Sequence, residues 1–123
     1  MISEERLLLL AEEAERVKKK YHSQTVEDLE RIAIKEYGAV QVIRTPLLAR
    51  SEVIRERGSG NFFIFYNAFY EPYLPVVLGH EIGHIAASHL KTSSKNLSED
   101  QKGLQEQEAD YYSASLNGIS MGT

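Results

Sequence analysis

Apolar residues at Leu7, Leu10, Ala14, Val17 and Tyr21 recur at gaps of three and four, the spacing of one helical face. Ser3 is placed to cap this helix. Glu4 and Glu5 suit its positive end, and Lys18, Lys19 and Lys20 its negative end. Thr25 opens a second helix, with Val26, Leu29, Ile32 and Ala33 facing inward and Gly38 as its stop. The period then shortens. Residues 39–43 form a β-rich run ahead of Pro46, residues 51–56 a second strand, and residues 57–61 a turn. Phe62, Phe63, Ile64, Phe65 and Tyr66 give the strongest strand signal in the chain. These runs predict a small, mainly antiparallel sheet of about three strands. Residues 67–71 read as a loop. Pro72 and Pro75 both fit the first turn of a helix that continues to about Leu90. A polar loop over residues 91–97 leads to the capping box Ser98-Glu99-Asp100-Gln101. That box starts a last helix running from about Glu99 to Leu116, closed by Asn117-Gly118. The class is α+β: two N-terminal helices, a three-stranded sheet, then two more helices.

Length and composition narrow this picture. A chain of 123 residues is one ordinary domain, 1–123, and 42% hydrophobic and 26% charged residues are globular values. Fourteen Lys and Arg against 18 Asp and Glu leave a net charge of -4, which argues against direct nucleic-acid binding. A protein partner that itself binds DNA remains compatible. With no cysteine, disulfides and thiolate metal sites are excluded, so any metal is held by His and carboxylates. The apolar run from Leu7 to Ala11 is too short for a membrane span and is flanked by Glu and Arg. The expectation is a cytoplasmic protein without membrane contact; the oligomeric state is not encoded in these features.

The chemistry concentrates in His80-Glu81-Ile82-Gly83-His84. Two histidines four apart on a helix share a face one turn apart and can hold one ion. Glu81 lies beside them as a general base, able to take a proton from an attacking water and pass it to a leaving amine. Random placement of this chain's His and Glu gives about 0.015 such spacings. The apolar Val77, Leu78, Ile82, Ile85 and Ala86 surround the motif and predict a largely buried helix, in which a histidine needs a partner. Gly83 lowers helix stability at its position, so close approach by another backbone or a substrate is expected there.

Two histidines leave a catalytic zinc one protein ligand short. The last helix offers Glu106-Gln107-Glu108-Ala109-Asp110. Glu106 and Asp110 share a face, so one can bind metal while the other orients a ligating histidine through its second nitrogen. Glu108 is turned about 160° from Glu106 and does not serve the same site. The small Ala109 and Ala114 would let this helix lie close to the metal helix.

His80-Glu81-Ile82-Gly83-His84 followed by Glu106-Gln107-Glu108-Ala109-Asp110-Tyr111-Tyr112-Ser113-Ala114 resembles the ImmA/IrrE family of zincin metallopeptidases. That family shows HELGH and then E-x-E-A-N/D-x-F-A some two dozen residues later. The resemblance spans roughly residues 22–116. It implies a zincin-like fold, one zinc ion held by His80, His84 and Glu106, Glu81 as general base, and Asp110 as the partner that orients a histidine. It also implies a protein substrate, such as a helix-turn-helix DNA-binding repressor of a mobile element. The family's LLMP-like continuation is replaced by Asn117-Gly118-Ile119-Ser120. The alternative expectation is a non-catalytic zincin-fold regulatory or binding module of a mobile element. A hydrolase acting on peptides or cell-wall fragments is weaker, for want of a secretion signal.

Other side chains weigh less. His89, five after His84, falls about 140° round a continuous helix and is read as a capping or substrate group, not a ligand. His22 suits a helix C-terminus. Tyr66, Tyr111 and Tyr112 are oxyanion candidates, each more commonly a core residue. Ser113 and Ser115 have no nucleophile context. The sheet edge formed by Phe62 to Tyr66 is the expected seat of a substrate strand.

Overall fold

The computed structural model describes residues 2–45, 51–67, 74–91 and 96–118. Helix α1 (Glu4–Lys20) begins where Ser3 accepts a hydrogen bond from the Arg6 amide, and it buries Leu10, Ala14 and Val17. Helix α2 (Val26–Arg31) opens with a capping box of Thr25 and Asp28, then widens into a π-helical turn over Ile32–Glu36. Leu29, Ile32 and Ala33 are buried, as their spacing predicts, and Gly38 leaves the helix at φ 74°.

Three strands follow: β1 (Ala39–Arg44), β2 (Ser51–Arg55) and β3 (Phe62–Tyr66). Their order is β1-β3-β2. The β3–β2 pair is antiparallel, with Val53 opposite Ile64, but β1 runs parallel to β3, with Val42 opposite Ile64. The sheet is therefore mixed rather than mainly antiparallel, and β3 is its middle strand rather than an edge. The composition of each strand explains the order. The unbroken apolar run of β3 suits a strand flanked on both sides, with Ile64 and Tyr66 buried. Strand β2 carries Glu52 and Arg55 and is mostly exposed, which suits an edge.

Helix α3 (Leu74–Ala86) starts with Pro75 in its first turn and buries Val77, Leu78, Glu81 and Ile82. It stops four residues short of the expected Leu90. The chain turns at Ser88, whose φ is 62°, and enters a short 3-10 turn over His89–Lys91. Helix α4 (Glu99–Asn117) has the expected Ser98–Gln101 capping box and ends on Gly118 in the left-handed region at φ 72°. Pro46, Pro72, the loop over residues 68–71, residues 92–95 of the polar loop and residues 119–123 lie outside the described residues.

The core joins Ala14 and Val17 of α1, Leu29 and Ile32 of α2, Ile64 of β3, Leu78 and Ile82 of α3, and Tyr112 and Leu116 of α4. The α3–α4 contact is the most extensive between any two elements. Gly79 and Gly83 of α3 face Ser113 and Ala109 of α4. A side chain at Gly83 would lie 2.9 Å from the Ala109 carbonyl oxygen. The expected close approach at Gly83 is thus met by a backbone. Among the described residues no helix is long and apolar enough to cross a membrane.

Candidate metal centre

Helix α3 presents His80 and His84 toward α4, which answers with Glu106 and Asp110. His80 Nε2 lies 2.7 Å from Glu106 Oε2, His84 Nε2 lies 3.5 Å from Glu106 Oε1, and the two imidazole Nε2 atoms are 3.1 Å apart. All the ligand atoms of His80, His84 and Glu106 fall within 4.8 Å of one another. Asp110 Oδ1 sits 2.6 Å from His80 Nδ1. The structure therefore brings together the four residues expected to hold and support a metal.

The donor set fits a zinc ion. A carboxylate at Asp110 has only acceptors to offer, so His80 Nδ1 carries a proton and a neutral His80 exposes a lone pair at Nε2. That lone pair faces the Glu106 carboxylate, another acceptor. Two acceptors at 2.7 Å repel unless a proton or cation lies among them. Tetrahedral zinc at its usual bond lengths separates neighbouring ligand atoms by roughly 3.3 Å. The observed 2.7, 3.1 and 3.5 Å bracket that value.

Glu81 is buried at 6% exposure one residue from His80. Burial raises its carboxyl above the ordinary range; a hydrogen bond from Ser51 and the nearby His80 partly oppose this. Ser51 Oγ donates to Glu81 Oε1 at 2.9 Å, which holds the side chain while leaving the other oxygen available. Ser51 belongs to β2, so the edge strand touches Glu81 directly. A cavity of about 460 Å³ lies between β2 and the metal residues, bordered by Val53, Leu90, Leu97 and Gln105. A second of about 270 Å³ opens on the Val76, Val77 and Asp110 side.

Two groups take places the sequence did not reveal. His89 is bent back by the Ser88 turn so that its Nδ1 lies 2.9 Å from His84 Nδ1. Its Nε2 meets Glu108 Oε1 at 2.6 Å. Glu108 is turned away from His80 and His84, as its rotation from Glu106 predicts, yet it is buried and paired with Arg6 of α1. The only signals in the sequence were the chemistry of His89 and the repeated acid in Glu106-Gln107-Glu108. Ser51 had no signal.

The tyrosines divide by their partners. Tyr66 donates to Glu30 Oε1, and Tyr112 shares a 2.7 Å hydrogen bond with Tyr37, so both are core residues and neither reaches the metal residues. Tyr111 is half-buried on α4. Ser113 donates to the Val76 carbonyl and ties α4 to α3. His22 is exposed.

Burial of the rings has a consequence for stability. Burial, then His80, lowers His84 to about 4 from 6.5. Burial also lowers His89, against its hydrogen bond to the Glu108 carboxylate. The folded state thus binds fewer protons here than the unfolded chain. The stability these rings contribute is full above about pH 6.5 and is lost as pH falls toward about 4, on the order of 3 kcal/mol for His84. Glu81 has the opposite sign, because its raised carboxyl favours the protonated form. Between about pH 6.5 and 4.5 it offsets part of the loss from the two histidines; below about pH 4.5 Glu108, Glu13 and Glu36, whose carboxyls are lowered, lose their contribution as well. The Tm of metal-free protein should be lower at about pH 4 than at about pH 7; an equal or higher Tm at about pH 4 would contradict this assignment.

No protein-family model matches the chain, and no curated protein or solved structure shows significant similarity to it.

Proposed function

We propose that the protein is a zinc-dependent metallopeptidase of the ImmA/IrrE type, acting in the cytoplasm on a protein substrate such as a helix-turn-helix repressor. One observation carries this reading. His80, His84 and Glu106 converge on one point, with the buried Glu81 beside them and a cleft in front. His80, His84 and Glu106 would hold the ion, and Asp110 would fix the ring of His80. Bound there, zinc would supply a Lewis acid for the scissile carbonyl and would lower the pKa of water.

The chain's own residues supply the rest. Glu81, raised by burial, accepts the proton of the attacking water on the oxygen that Ser51 leaves free. It then delivers that proton to the leaving amine. The edge strand for an extended substrate is β2 rather than Phe62 to Tyr66, because β3 has both sides occupied by β1 and β2. A substrate strand added to the free side of β2 would run along the cleft bordered by Val53 and Glu81. The same strand bears Ser51, so substrate pairing and alignment of the base share one element.

Purified protein is expected to carry about one equivalent of zinc and to lose it in His80→Ala. Incubation with a candidate helix-turn-helix repressor should give fragments by mass spectrometry, and chelation should stop their formation. Zinc-free wild-type protein, or an unchanged metal content in His80→Ala, would overturn the reading.

A further inference from the structure

The metal residues are backed by a chain of buried polar contacts that reaches the N-terminal helix. His84 Nδ1 meets His89 Nδ1 at 2.9 Å, and His89 Nε2 meets Glu108 Oε1 at 2.6 Å. Arg6 Nε meets Glu108 Oε2 at 3.0 Å, and Arg6 Nη2 meets Glu108 Oε1 at 3.3 Å. Arg6 Nη2 also donates to the Ala87 carbonyl at 2.9 Å, one residue before the Ser88 turn that swings His89 back. His89 and Glu108 are each 7% exposed, so water does not substitute freely for these partners.

Building on the metal-centre reading, we propose that His89, Glu108 and Arg6 are positioning residues that fix the tautomer of His84 and couple zinc affinity to the docking of α1. The contacts admit one proton order. Glu108, gripped by the Arg6 guanidinium, is a carboxylate and only accepts. His89 Nε2 must therefore donate to it. A neutral imidazole holds one proton, so His89 Nδ1 is an acceptor, and His84 Nδ1 must be the donor across the 2.9 Å contact. His84 Nε2 is then left with its lone pair, aimed at the point where His80 Nε2 and Glu106 converge. Each histidine ligand thus has its own anchor: Asp110 for His80, and His89 relaying Glu108 for His84. Arg6 makes the second anchor conditional on α1, because it both holds Glu108 and pins the carbonyl beside the Ser88 turn.

The direct test is the tautomer of His84 in the metal-free full-length protein, read from long-range ¹H–¹⁵N correlations of the imidazole rings. A proton on Nδ1 and none on Nε2 is expected. In His89→Phe the acceptor is gone, and the His84 proton should move toward Nε2. Zinc affinity, measured by competition with a chromophoric chelator, should fall about 10–100-fold in His89→Phe and in Glu108→Leu. His89→Gln, whose carbonyl can accept from His84 Nδ1–H, should recover part of it. Arg6→Met should weaken zinc about tenfold with helix content unchanged. A wild-type His84 protonated on Nε2 overturns the proposal without needing any variant to fold. So does a wild type that binds zinc with an affinity that folded His89→Phe leaves unchanged, and in that case the metal centre itself stands. A wild type that binds no zinc removes both.

Discussion

Replacing Glu81 with Gln is expected to lower peptide hydrolysis by about 10²–10⁴-fold, the usual contribution of a positioned acid–base group, with zinc content unchanged. Glu81 lies on the motif helix but outside the set of convergent ligand atoms, which is His80, His84 and Glu106. A glutamine keeps the shape and can still accept from Ser51 Oγ, now 2.9 Å from the carboxylate. What it loses is the proton acceptor. Stability should not suffer. Burial works against the Glu81 carboxylate, and an uncharged amide of the same size removes that penalty. Thermal unfolding should therefore give a Tm equal to or above that of wild type. Full loss of cleavage with retained zinc and Tm assigns Glu81 to the chemistry. If cleavage persists, the base lies elsewhere. If the biological effect survives although cleavage is gone, the protein works as a binding module that uses its metal for structure.

The parts of this molecule that could be read from the sequence are those whose physics is local. Ser3, the Ser98–Gln101 box and Gly118 set helix ends within a few residues, and all three are found where expected. The His80–His84 spacing and the Glu106–Asp110 spacing each lie within one helix, so each could be placed on a face before the two helices were known to meet. Strand pairing is a different kind of fact. Nothing within residues 39–44 says that they run parallel to β3, and a local reading defaults to hairpins. The clue to the middle strand was the unbroken Phe62–Tyr66 run, which needs cover on both sides. His89 was misplaced because Ala86, Ala87 and Ser88 carry no helix breaker. Only the left-handed Ser88 turn shows that the helical rotation no longer applies. Arg6 and Glu108 lie 102 residues apart, and Ser51 and Glu81 lie 30 apart, separations at which no periodicity connects them.

The same limit applies to the contact that sets the geometry of the whole site. Gly83→Ala should destabilise the fold and weaken zinc together, and Gly83→Leu should do so more strongly. At most helix positions the change from Gly to Ala is favourable by about 1 kcal/mol. At Gly83 the added Cβ would meet the Ala109 carbonyl oxygen at 2.9 Å and the Ala109 Cα at 3.0 Å. These are backbone atoms of a packed helix and cannot swing aside, so α3 and α4 must separate. Overpacking of this kind costs about 1–3 kcal/mol, enough to reverse the sign. Ala109 lies on α4 between Glu106 and Asp110, so the displacement falls on the third ligand and on the anchor of His80 at once. Such constellations tolerate about 0.5 Å of misplacement, so zinc affinity should fall even where the protein stays folded. Gly103→Ala is the matched control. It sits on α4, the helix of Glu106, with open space around it, and it should raise Tm slightly and leave zinc affinity alone. Equal behaviour of the two variants would mean that the close crossing at Gly83 does not hold Glu106 in place.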